Sequence, residues 1–181
     1  MSHDFIVNNE AIKQCSNEPI RALDEDMKIE IDQSGKIEQL SKDTILCISN
    51  SEWDAILIKS QIKRQLQEIY RRNGQTRNFI LFTFCAGLAI LIMRNKKYPV
   101  IIIDQEYLGK ENVMKNILNE MFKKIKNPPD VIFGRIGKKA SAHHIAHDIA
   151  TKEIEAKKIL SLKDILKEIK KTEVGIRLKD A

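Results

Sequence analysis

Four consecutive β-branched residues, Val100–Ile103, run straight into Asp104, with Glu106 one residue beyond, and no other stretch constrains this chain as strongly. A run that is apolar at every position, rather than at every second one, fits a strand covered on both faces. Such strands belong to sheets with helices packed against them. The chain is therefore expected to be a mixed α/β layer fold with the strand Tyr98–Asp104 near the centre of its sheet. Open α/β sheets gather ligands beyond the carboxyl ends of their strands, and the two carboxylates fall at that end.

The rest of the chain supplies the layers. Residues 1–26 are polar, end in "DED" and read as an N-terminal arm. From Met27 the pattern alternates at period two: "MKIEID", a turn at Ser34-Gly35, then "KIEQL" form a predicted β-hairpin, followed by strands "TILCIS" and "AILIKS" in a small meander. A helix follows in which Ile62, Leu66, Ile69 and Tyr70 share a face, with Lys63, Arg64, Arg71 and Arg72 at exposed positions. After the Tyr98–Asp104 strand, an amphipathic helix carries Val113, Met114, Ile117, Leu118, Met121, Phe122 and Ile125 on one side. "NPPD" stops it, Val131–Phe133 makes a short strand, and a basic loop leads to Ser141, a predicted N-cap for the helix "AHHIAHDIATKEI". Residues 27–156 thus form the α/β domain. Residues 157–181 are a Lys-rich tail, in which Ser161 and Asp164 set up a capping box and Leu162, Ile165, Leu166 and Ile169 form an amphipathic helix. That helix is expected to dock on the domain or on a second copy, giving a homo-oligomer.

The stretch Phe79–Met93 is apolar almost throughout. It falls short of the roughly 20 residues that a bilayer requires, so a helix buried in the core is expected and no membrane partner. Cys15, Cys47 and Cys85 show no CxxC pairing, and the N-terminus lacks the basic start and apolar run of a signal peptide. A reducing, cytoplasmic location is expected. The net charge of +6 suits a polyanionic partner, although a Lys- and Ile-rich composition also suits heat adaptation without any ligand.

Asp104 and Glu106, spaced two apart, point to the same side if the strand continues, and hard ions such as Mg²⁺ or Mn²⁺ prefer such oxygen donors. The plainer alternative is a local cap followed by a solvated loop. Asp32 ends its own strand in the same manner, just before Ser34 and Gly35, and is otherwise a hairpin-turn aspartate. Three of the four histidines, His143, His144 and His147, fall within five residues, with Asp148 next. His143 and His147 have the spacing of a zinc pair, but His144 stands where a metalloprotease carries its glutamate base. One histidine assisting a carboxylate site, and histidines that merely pack or face solvent, are the other readings. Arg135, Lys138 and Lys139 precede a helix start and would meet phosphate, or simply form a solvated loop.

Taken in order, a meander with an aspartate on its first strand, a helix, a later strand ending in a second acid, and a closing helix with a further acid or histidine resembles the ribonuclease H-like superfamily of nucleases, integrases and resolvases. "IDQSGK" is similar to the first acidic motif of the type 2 ribonucleases H, except that Gln33 stands where those enzymes carry glutamate. The resemblance spans about Met27 to Ala150. It implies clustered carboxylates that bind Mg²⁺ or Mn²⁺ and activate water against a phosphodiester. Asp32 would match the first-strand acid and Asp104 the later one, with Asp148 or a neighbouring histidine on the closing helix and Glu68 or Glu106 as a fourth group.

The expectation is thus a metal-dependent nuclease acting on DNA or RNA. Asp32, Asp104 and Glu106 are its ligands, His143, His147 or Asp148 complete the site, and Arg135, Lys138 and Lys139 hold phosphate. Few aromatics are free for stacking on bases, so duplex or structured nucleic acid is the expected substrate. The rivals are a nucleic-acid-binding or scaffolding module on a nuclease-like fold, a structural subunit docking through the C-terminal helix, and a restriction-endonuclease-like enzyme. The last expects lysine where Leu108 stands.

Overall fold

Alternation along β1 (Lys28–Ser34) sorts the protein into two faces. Ile29 and Ile31 are buried in the main core, while Glu30 and Asp32 turn to the opposite side. The computed structural model describes residues 28–50, 52–137, 140–176 and 178; the N-terminal arm and both Lys138 and Lys139 lie outside them. β1 is followed by β2 (Thr44–Ser49) and β3 (Trp53–Ile58), each antiparallel to the strand before it. β4 (Val100–Asp104) and β5 (Asp130–Gly134) then add in parallel on the far side of β1. β6 (Lys158–Ile159) pairs in parallel with β3, giving the order β5-β4-β1-β2-β3-β6. The result is a mixed six-stranded sheet flanked by helices, with β4 an interior strand between β5 and β1.

The main core lies between the sheet and α1 (Ser60–Arg72), α2 (Phe79–Arg94), α3 (Glu111–Phe122) and α5 (Leu162–Ile169). α2 is apolar all round because it is the inner helix, touching the sheet, α1, α3 and α5. The run Thr76–Arg94 is long and apolar enough to cross a membrane by length and composition, yet most of it is packed inside this domain. Gly87 permits that approach, since a Cβ there would stand 2.8 Å from Leu46 Cδ1 and 3.3 Å from Ile58 Cδ1. On the other face α4 (Ser141–Ala150) seals a smaller core, placing Ala142, Ala146 and Ile149 against Ile45, Cys47 and Ala55. β2 is buried at all six positions because helices cover both its faces. α4 packs on β1 and β2, and Ile102 of β4, on the same face, is only half-buried. That side of the sheet is open beside β4.

Several local expectations are corrected. "KIEQL" is not a strand: Gly35 takes φ of 76°, a left-handed conformation, and the chain leaves the sheet through turns in which Gln39 N–H donates to Lys36 O and Lys42 N–H to Gln39 O. The true partner of β1 is β2, with Ser34 opposite Ile45, and Ile37 is apolar because it plugs the end of the core. The last strand of the meander starts at Trp53, earlier than expected, and Ser60 opens α1. Lys63, expected in solvent, is fully buried, whereas Val113, expected on the buried face of α3, is 46% exposed. Ser141 is the first residue of α4 rather than its cap. Its hydroxyl accepts from Ser49 Oγ at 3.0 Å, and the helix ends at Ala150, four residues short of Ile154. The capping box of Ser161 and Asp164 is present, and Ile165, Leu166 and Ile169 are buried in the main core.

Candidate metal centre

β1 and β4 are adjacent and parallel, with Ile31 beside Ile103, so Asp32 and Asp104, one residue further along each strand, finish the strands side by side. At Glu106 the chain has left β4 through a tight turn, with Glu106 N–H donating to Asp104 O at 2.9 Å, which folds its carboxylate back toward the strand ends. One carboxylate oxygen from each of Asp32, Asp104 and Glu106 lies within 4.8 Å of the others. Oxygens on opposite sides of one Mg²⁺ are about 4.2 Å apart, so these carboxylates need close only slightly around an ion. Three hard oxygen donors and no thiolate fit Mg²⁺ or Mn²⁺, and the set can hold such a cation.

Each acid is oriented from outside the cluster. Asp32, whose side chain is 6% exposed, has His143 Nδ1 at 2.8 Å from Oδ2. Facing a carboxylate, Nδ1 is the donor. Asp104 Oδ1 accepts the backbone N–H of Ile136 at 2.8 Å, tying the loop after β5 to the site. Lys36 Nζ lies 3.6 Å from Glu106 Oε2. Burial raises the Glu106 pKa above the ordinary carboxylate range, with Lys36 opposing and Asp104 and Asp32 reinforcing the shift. Glu30, two residues before Asp32 on the same open face, is raised too, first by burial and then by Asp104 and Asp32.

The structure therefore brings together Asp32, Asp104, Glu106 and His143. It does not bring His147 and Asp148 to them: both side chains are largely in solvent, 3.6 Å from each other, with no bond to the acids. His144 sits beside His143, their rings 5.9 Å apart. Arg135 is exposed and immediately precedes Ile136, whose backbone N–H meets Asp104. Glu68 is elsewhere, forked by Arg71 and Arg72 on the surface of α1. Gln33 points into the other face of the sheet, buried, with its Nε2 donating to Gly35 O at 2.9 Å.

Two side chains beside the acids and one buried lysine escaped the sequence reading. Glu30 was legible, since "IEID" at period two places it on the side of Asp32. Lys36 carried a false strand assignment, and Lys63 carried a charge that argues for solvent. With the sheet and the acidic cluster in view, the protein is a mixed α/β fold with three acids at adjacent strand ends able to hold a divalent ion. Comparison with protein-family models, curated proteins and solved structures gives no match to this chain.

Proposed function

We propose that this protein is a metal-dependent nuclease of the ribonuclease H-like kind, hydrolysing phosphodiester bonds in DNA or RNA. The observation that carries the reading is the meeting of Asp32 and Asp104 at the ends of two parallel neighbours, with Glu106 close by and His143 of a closing helix on Asp32. The element order supports it as well: a meander whose first strand bears Asp32, then helices, then β4 ending in Asp104, then α4.

Asp32, Asp104 and Glu106 would hold Mg²⁺ or Mn²⁺, which when bound supplies a Lewis acid and an activated water for attack at phosphorus. The protein's own groups do the rest. His143 holds Asp32 in place through Nδ1 and offers Nε2 as a proton acceptor near the strand ends, or as a further ligand. Arg135, with Lys138 and Lys139 close to it in sequence, would attract the phosphate backbone of a duplex or structured nucleic acid. The buried free thiols of Cys47 and Cys85 suit a reducing cytoplasm.

The test is cleavage of duplex, hybrid and branched substrates with Mg²⁺ or Mn²⁺. Wild type should cut, and Asp104→Asn should remain folded and lose activity by more than the roughly ten- to hundredfold that removing a group which merely orients a metal ligand costs. A cluster that binds nucleic acid in a salt-dependent manner without turnover would favour the second reading, a non-catalytic binding module, which the exposed Arg135 also supports.

A further inference from the structure

Lys63 is the one lysine or arginine among the described residues that is fully buried. Its Nζ donates to Lys36 O at 2.8 Å, Gln39 O at 2.9 Å and Thr44 Oγ1 at 2.9 Å. Three acceptors match the three N–H groups of an ammonium, so the buried charge is satisfied by the backbone of a single loop and the strand that follows it. A buried lysine is costly, and a core position that only had to fill space would be better served by an apolar residue.

The loop held in this way begins where Asp32 leaves off. Gly35 makes the turn, and a Cβ at that position would collide with the backbone carbonyl of Asp43. Ile37 is fully buried, and its N–H reaches Tyr107 Oη at 3.4 Å, while Tyr107 Oη donates to Glu38 at 3.1 Å. The loop is thereby fastened to α1 on one side and to the residue after Glu106 on the other. Between these fastenings stands Lys36. Its carbonyl is on Lys63 and its ammonium is 3.6 Å from Glu106, and it is the only lysine or arginine among the described residues paired with Asp32, Asp104, Glu106 or Glu30.

We propose that Lys63 is a positioning residue of the acidic site, clamping the loop after β1 so that Lys36 stands on Glu106 as a tethered cation that a divalent ion must displace. This inference rests on the metal-site reading above and specifies how that site is regulated. Three carboxylates gathered at two strand ends, with Glu30 further back on the same face, repel one another, and the tethered ammonium offsets this while no metal is bound. An arriving ion meets a positive charge already on one of its ligands, which weakens its binding. The clamp fixes the strength of that competition, because a free loop would let the half-exposed Lys36 side chain swing into solvent.

Mn²⁺ alone is the probe, titrated by calorimetry into wild type, Lys36→Met, Lys63→Met and the double variant. Lys36→Met should tighten Mn²⁺ binding by about three- to tenfold, the scale of one screened charge near a divalent ion. Lys63→Met should tighten it as well, and should add nothing once Lys36 is Met, since the two act through one path. If Lys63→Met does not fold, Thr44→Val removes one acceptor of the clamp with little change in shape, and should give a smaller tightening that also vanishes in Lys36→Met. Wild type and Lys36→Met binding Mn²⁺ equally would overturn the tethered-cation inference while leaving the metal site standing. Tightening in Lys36→Met with Lys63 effects that simply add would overturn the positioning role. No binding in any variant would overturn the metal reading and this inference together.

Discussion

His143 Nδ1 stands 2.8 Å from Asp32 Oδ2, so the helix on the open face of the sheet is fastened to the acid at the end of β1. The pair joins elements 111 positions apart in sequence. It gives a nearly buried carboxylate a donor beside Asp104 and Glu106. His143→Ala should weaken Mn²⁺ binding by about tenfold, the usual effect of removing a group that orients a ligand. His143→Asn, whose amide can replace Nδ1, should recover part of the loss. Calorimetric titration of the two variants checks this.

The raised Glu106 gives a pH dependence of definite sign. In EDTA the folded protein keeps the Glu106 proton above its ordinary value of 4.5, where the unfolded chain has released it. The stability this group contributes is therefore full below about 4.5 and is lost as pH rises through its higher folded value. Relative to Glu106→Gln, metal-free wild type should become less stable over that climb. With excess Mn²⁺ the trend should reverse, because ligands bind metal deprotonated. Thermal unfolding from acid to neutral pH, with and without the ion, reads both slopes.

Much of this fold is legible in the sequence, and the exceptions have physical causes. The all-round apolar α2 and the capping box of α5 each carry a local signal that the fold obeys, and the unbroken run of β4 marks an interior strand although Ile102 is covered only in part. "KIEQL" alternates like a strand, but Gly35 turns the chain away first, and Ile37 is apolar in order to plug a core rather than pair in a sheet. Lys63 is invisible because its three acceptors come from a loop whose path no local pattern reveals. Asp32, Asp104 and Glu106 could be singled out from strand ends alone. Which histidine meets them depends on how α4 sits on β1 and β2, and that is a matter of packing.

The same packing makes the C-terminal segment part of the domain's core. Ile165 and Ile169 are fully buried beside α2. Ile165→Ala should cost about 2–4 kcal/mol, as truncation of a buried isoleucine does, and should lower a single cooperative transition. Denaturant unfolding should show that shift without a separate early phase. An unchanged midpoint would mean that this helix contributes nothing to the core.

Arg135 tests the nucleic-acid side of the account. As an exposed cation next to the residue that meets Asp104, it should contribute affinity that does not depend on sequence. Arg135→Ala should weaken duplex binding across unrelated sequences and reduce the slope of log affinity against log salt by about one. Binding by fluorescence anisotropy at several salt concentrations measures both.

The most direct test of the central claim is thermal unfolding of wild type and Asp104→Asn, each in EDTA and in excess Mn²⁺. A ligand that binds only the folded state raises its stability, by about 2.7 kcal/mol at a hundred times Kd. Wild type should melt several degrees higher with Mn²⁺, and Asp104→Asn should melt at the same temperature with and without the ion. An equal Mn²⁺ shift in the two proteins, or none in wild type, would contradict a metal centre at the ends of β1 and β4.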